Sequence, residues 1–178
     1  MEKVLIATDN YKLTKNMLPG KEEYQDQLKG INITNKHIEV TNSRCAARID
    51  INLMSGPIAP GTYKIVSATK YDKLHTELVL ELREDTQYPD MAKIFPAMSG
   101  QDKIELEIHT NKECYWATSH AVIKLFKFTG NAYNGLYIDC MAHFNDTWTA
   151  YKLGTDKAVY LKNSAGTIDA LMLPFKIN

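Results

Sequence analysis

Apolar and polar residues alternate along much of the chain. The clearest cases are "ELVLELR" (Glu77–Arg83) and "KIELEIH" (Lys103–His109), where every second position is apolar. A period of two puts alternate side chains on opposite faces of a strand, one face buried and one wet, as in an antiparallel sheet. The same pattern, or a short apolar cluster, predicts strands at Lys3–Thr8, His37–Thr41, Cys45–Leu53, Thr62–Ser67, Cys114–Thr118 and Ala121–Phe128. Gly135–Cys140, Lys157–Lys162 and Thr167–Leu173 read as strands too. Turn-forming clusters separate them: "SGPIAPG" (Ser55–Gly61), "TGNAYNG" (Thr129–Gly135) and "NSAG" (Asn163–Gly166).

Helical spacing is sparse. "DNYKLTKNML" (Asp9–Leu18) opens on an Asp suited to a cap and stops before Pro19. "SATKYDKL" (Ser67–Leu74) predicts two turns. In "MAHFNDTWTAYKLG" (Met141–Gly154), Met141, Phe144, Trp148 and Tyr151 fall on one helical face, with Gly154 as the stop. Fenced by two prolines, "YPDMAKIFP" (Tyr88–Pro96) breaks the β pattern.

That fenced stretch has an earlier counterpart, "YKLTKNMLP" (Tyr11–Pro19). In the same order, Gln25–Lys36 matches Gln101–Lys112 and Gly61–Ile65 matches Gly135–Asp139. Ordered matches of this length predict two copies of one small α+β unit, divided into 1–96 and 97–178. The second copy shows no full opening strand and helix before Asp102.

Composition leaves this picture intact. At 178 residues, 44% hydrophobic and 24% charged, the chain is of ordinary globular type. No apolar run is long enough to span a bilayer as a helix. "MEKVLIATDN" lacks the pattern of a secretion signal, so the expected compartment is the cytoplasm, of a host cell if the gene is viral. Three cysteines, Cys45, Cys114 and Cys140, with no C-x-x-C pair, predict reduced and mostly buried thiols. The 21 basic and 21 acidic residues cancel, so no basic excess marks a nucleic-acid binder.

The motifs of common enzymes are missing: H-E-x-x-H, the P-loop, G-x-G-x-x-G and G-x-S-x-G. His37, His75, His109, His120 and His143 have no metal-ligand spacing. Cys140 and His143 form the one arguable nucleophile–base pair, and no third orienting group accompanies them. No catalytic residue, metal or cofactor is expected.

Several segments together resemble one family. "LREDTQYPDMAKIFP" resembles the stretch that ends the middle domain of bacterial β-type DNA sliding clamps. "TIDALMLPFKIN" is similar to their last strand and tail, with Leu173 between Met172 and Pro174. "HIEVTNSRCAARI" resembles a clamp strand pair, with Asn42-Ser43-Arg44 at the turn. The run from Gly135 to Leu173 follows the order of the last half-domain. The resemblance implies an α+β chain of two related clamp-like (processivity fold) domains, mainly antiparallel sheets with a few short helices. A bacterial clamp chain has three such domains, so a two-domain chain would close as a trimeric ring.

By the same resemblance, the chain is expected to be a non-enzymatic, phage-like processivity factor. It would be a homo-oligomer that encircles or holds duplex DNA without reading its sequence. The helix lysines Lys12, Lys15, Lys70, Lys73 and Lys152 would contact phosphates. A groove for short peptides of a DNA polymerase or clamp loader would be walled by Pro89, Lys93 and Ile94. Thr41, Ser43 and Arg44 from the turn, and Met172, Leu173, Pro174, Phe175 and Lys176 from the tail, would complete it. Two alternatives stand beside this: a clamp-fold adaptor that binds only protein, and a hydrolase using Cys140 and His143.

Overall fold

The structure is a computed structural model. It describes residues 1–20, 25–84, 86–95, 97–108, 115–154 and 157–175. The chain divides into two compact units, Met1–Met91 and Ala92–Asn178. The division falls inside a short helix, whereas the sequence pattern pointed to the end of the proline-fenced stretch.

The first unit opens with β1 (Glu2–Ala7) and α1 (Thr8–Met17). A 3-10 turn at Asp26–Leu28 precedes β2 (Ile31–Ile33), β3 (His37–Thr41) and β4 (Cys45–Asp50). A two-residue β5 (Met54–Ser55) precedes a long hairpin, β6 (Gly61–Lys70) and β7 (His75–Leu82). Across the sheet the order is β5-β1-β7-β6-β2-β3-β4, and these neighbours pair antiparallel. Leu13 and Met17 of α1 are fully buried, as are Ile38, Val40 and Ile49 on β3 and β4. The alternation read in the sequence thus seals one sheet face under a helix.

The second unit begins with the one-turn α2 (Met91–Ile94) at the boundary, then β8 (Lys103–Ile108). Two helices follow, α3 (Tyr115–Thr129) and α4 (Gly135–Ala142), and then β9 (Asp146–Lys152), β10 (Val159–Asn163) and β11 (Ile168–Met172). The sheet order is β11-β10-β9-β8, antiparallel throughout. Leu125 of α3 and Ile138 and Met141 of α4 are fully buried, as are Trp148 and Ala150 of β9.

The fold is therefore α+β and mainly antiparallel, as the patterning predicts. Both units share one frame: a strand, helical structure, then three strands. In the first unit the β6–β7 hairpin is inserted into that frame.

Several local expectations are corrected. Residues 115–129, read as two strands, form helix α3. Their β-branched and aromatic content mimics a strand, but the buried positions Ala121, Leu125 and Thr129 recur every fourth residue. Gly135–Cys140 is also helical, because the Asn134 side chain caps it by accepting from Leu136 N–H at 3.0 Å. The long helix expected from Met141 ends at Ala142. Asn145 takes a left-handed φ of 48°, and β9 follows with Trp148 and Ala150 buried at alternate positions. Trp148 still meets Phe144 edge-on, their ring centroids 6.0 Å apart. Ser67–Lys70 continues β6 instead of starting a helix. Helix α1 begins one residue before Asp9, which lies in its first turn and favours the helix dipole there.

The order of the repeat also changes. Matching Gly61–Ile65 with Gly135–Asp139 would set the start of β6 against α4. The frame instead matches β1-α1-β2-β3-β4 with β8-α3-β9-β10-β11. A shared turn device supports that register. Between β3 and β4, the Asn42 side chain accepts from Arg44 N–H at 3.1 Å and Cys45 N–H at 3.0 Å. Between β10 and β11, Asn163 accepts from Thr167 N–H and Ile168 N–H, both at 2.9 Å. In each case the last donor is the first residue of the next strand, so one Asn fixes where that strand begins.

Candidate functional site

The expected DNA-contact lysines fall on different structures. Lys12 and Lys15 are on α1, where Lys12 pairs with Asp9 at 3.0 Å and Lys15 is exposed. Lys70 ends strand β6, and Lys73 is in the β6–β7 turn, so neither is a helix residue. The error came from reading a charged hairpin tip as two helical turns. Lys152 ends β9, and its Nζ donates to the Phe128 carbonyl at 3.4 Å, at the C-terminal end of α3. That bond caps a helix end.

The sequence pattern missed a better cationic surface. Helix α3 spans 15 residues without one Asp or Glu and carries His120, Lys124 and Lys127. All three are exposed, along with Ile123 and Phe126, while Ala121, Leu125 and Thr129 face inward. Lys124 and Lys127 enter no ion pair among the described residues. The missing acids were legible; a strand assignment hid that the cations share a face.

The expected groove residues are best taken unit by unit. In the first, Thr41 closes β3 and is buried, donating its hydroxyl to the Cys45 carbonyl at 2.8 Å. Ser43 follows at φ 65°, and Arg44 is exposed. Pro89 is half-buried in a segment packed over this strand. Burial raises the Tyr88 hydroxyl well above the usual phenol range; the Thr41 backbone beside it opposes that shift, and the Glu39 charge adds to it. Glu39 is itself raised, first by burial, with the Asp90 charge adding to it. Hydrogen bonding from Asn32, at 2.6 Å, and the Arg48 charge pull it back. Tyr88 and Asp90 thus bring Pro89 near the Thr41 end of β3.

In the second unit, Lys93 on α2 is exposed and Ile94 half-buried. Phe95 is buried edge-on against Tyr160, with centroids 6.1 Å apart. Met172 is fully buried as the last residue of β11, a core position. Leu173 and Phe175 are exposed and Pro174 is half-buried. The tail is held by Phe175 N–H donating to the Ala132 carbonyl at 2.8 Å. Lys176 lies outside the described residues.

The nucleophile pair has the wrong electrostatics. Cys140 is buried on α4, and its thiol donates to the Leu136 carbonyl at 3.0 Å. Burial, and then the Asp139 charge, push it up to about 11, the reverse of what a thiolate needs. Cys45 is likewise buried, its thiol donating to Asn42 Oδ1 at 3.3 Å; Cys114 lies outside the described residues. No group of three or more metal-ligating side chains occurs among the described residues. No helix among them is long and apolar enough to cross a membrane.

This arrangement of sheets and helices is a shortened version of the bacterial β sliding-clamp fold. The DNA polymerase III subunit beta of Borrelia burgdorferi matches 100% of the chain with a TM-score of 0.58 at 10% identity. The Helicobacter pylori beta clamp, solved with a DNA ligase peptide, matches 99% with a TM-score of 0.58 at 12% identity. The Thermotoga maritima beta subunit matches 100% at a TM-score of 0.57 and 13% identity. The chain spans 65%, 67% and 65% of those three proteins, respectively. No protein-family model matches the sequence, and no curated protein does.

Proposed function

We propose that this chain is a non-enzymatic, sliding-clamp-like processivity factor. It holds or encircles duplex DNA and tethers a polymerase or loader through short peptides. The observation that carries this reading is a clamp fold running through the whole chain at a TM-score of 0.58. Two clamp-like domains, 1–96 and 97–178, make the repeating part. Lys12 and Lys15 of α1, together with Lys124 and Lys127 of α3, contact phosphates. Such contacts carry no sequence information, so they permit sliding.

Ring closure pairs sheet edges between copies. Strand β1 is covered on one side only over Leu5 and Ile6, and β8 is an edge within its own unit. An exposed edge is a liability that pairing removes. The peptide-binding residues are Thr41, Ser43, Arg44 and Pro89 in the first unit, and Lys93, Ile94, the half-buried Pro174 and the exposed Leu173 and Phe175 in the second. The ligase peptide on the H. pylori clamp supports this kind of partner. A cytoplasmic location follows from a replication role.

The charge balance of 21 against 21 favours a second reading, a clamp-fold adaptor that binds protein alone. Light scattering and duplex binding separate the two. The clamp reading expects a closed oligomer, a multiple of the 20.2 kDa chain, that binds duplex in a salt-dependent way. A strict monomer without duplex affinity would leave the adaptor.

A further inference from the structure

The β6–β7 hairpin tip is not needed by the shared frame, yet it carries two of the most exposed apolar side chains among the described residues. Tyr71 is 63% exposed and Leu74 72%. This exposure is built. Tyr71 N–H and Asp72 N–H donate to the His75 carbonyl at 3.1 and 3.3 Å. The Asp72 carboxylate accepts from Leu74 N–H and His75 N–H, both at 2.7 Å, and lies 3.0 Å from His75 Nδ1. Thr8 N–H, at the start of α1, donates to the Leu74 carbonyl at 2.8 Å. A tip fixed in this way pays little ordering entropy when a partner arrives.

Its charges point to the partner. Lys70 and Lys73 flank Tyr71 and enter no ion pair among the described residues. Asp72, the one acid of the turn, is occupied by its own backbone and His75. The nearby acids Asp9 and Glu77 are paired with Lys12 and Lys3. What remains is an aromatic face between two free cations. A protruding tip offers no groove for a peptide chain, whereas a nucleobase needs only a flat face, with its phosphates met by lysines.

We propose that the hairpin tip binds single-stranded nucleic acid, with Tyr71 stacking on an unpaired base, Leu74 flanking it, and Lys70 and Lys73 neutralising the adjoining phosphates. This does not depend on ring closure or on the duplex contacts of α1 and α3. The test is fluorescence anisotropy of a labelled oligo-dT of roughly 12 nucleotides with the full chain. Tyr71→Ala is expected to weaken binding about tenfold or more, and Tyr71→Trp to restore it with quenching of the new indole. Lys70→Ala with Lys73→Ala should flatten the salt dependence. Duplex binding should be unchanged by Tyr71→Ala, which separates this proposal from the clamp reading. Absence of oligo-dT binding, a silent Tyr71→Ala, or equal competition by polyglutamate would each overturn it; the last would make the tip a surface for acidic proteins.

Discussion

In the first unit, β1 is separated from β2 by the β6–β7 hairpin; in the second, β8 pairs directly with β9. Both units otherwise run strand, helical structure, three strands. The difference shows which parts the frame requires. The helix, the three-strand meander and the Asn-fixed turn recur, and the hairpin is extra. Cation placement differs as well: α1 balances Lys12 with Asp9, while α3 has cations and no acid. The second unit is the plainer scaffold and has the more positive helix.

Truncating the helix anchors tests the shared frame most severely. Leu13 of α1 and Leu125 of α3 are both fully buried. Leu13→Ala and Leu125→Ala should each cost about 2–5 kcal/mol in chemical denaturation. A cost below about 1 kcal/mol at either site would mean that its helix does not seal that unit. The turn device gives a smaller, graded effect. Asn163 is buried, and its Nδ2 also donates to Thr167 Oγ1 at 3.2 Å. Asn163→Ala should therefore cost about 1–3 kcal/mol, and Asn42→Ala, at the less buried turn, about 1 kcal/mol. The reverse order would undo the matched register.

Charge sharpens the contrast further. Replacing Lys124 and Lys127 by Ala should lower the salt slope of duplex binding by about 2. Replacing Lys12 and Lys15 should lower it less, because Lys12 already has a partner. Titrations in parallel salt series would read both. The smallest effect expected is in pH. Glu39, in the first unit, is the one buried carboxylate among the described residues. Burial raises its pKa above the ordinary value of 4.5, so the native state holds its proton more readily than the unfolded chain does. That contribution is full below 4.5 and is lost as pH rises through the raised value. Glu39→Gln should therefore be favoured over wild type at neutral pH, and the advantage should fade in acid. An advantage that grows in acid would mean that Arg48 and Asn32 outweigh burial.

The fold class was legible because period-two alternation survives in β7 and β8, and because a helix and a turn punctuate β1 to β4. Helix α3 was not legible locally. Val122, Ile123, Phe126 and Phe128 have strand-like character, and burial against α4, β8 and β9 selects the helix. The stripe from Met141 to Tyr151 misled for the opposite reason. Its helical spacing is real, but it straddles the left-handed Asn145 and joins the end of α4 to β9. Resemblance named Lys12 and Lys15 on a true helix and the exposed Leu173 and Phe175. Helical spacing in the sequence placed Lys70, Lys73 and Lys152 on helices, where the structure has strand and turn.

Release from duplex DNA tests the central claim most directly. The chain is allowed to thread onto a linear duplex, both ends are then capped with a bulky protein, and the salt is raised. A closed clamp is predicted to stay on the capped duplex and to run off an uncapped one quickly. Equal release from the two would contradict encirclement.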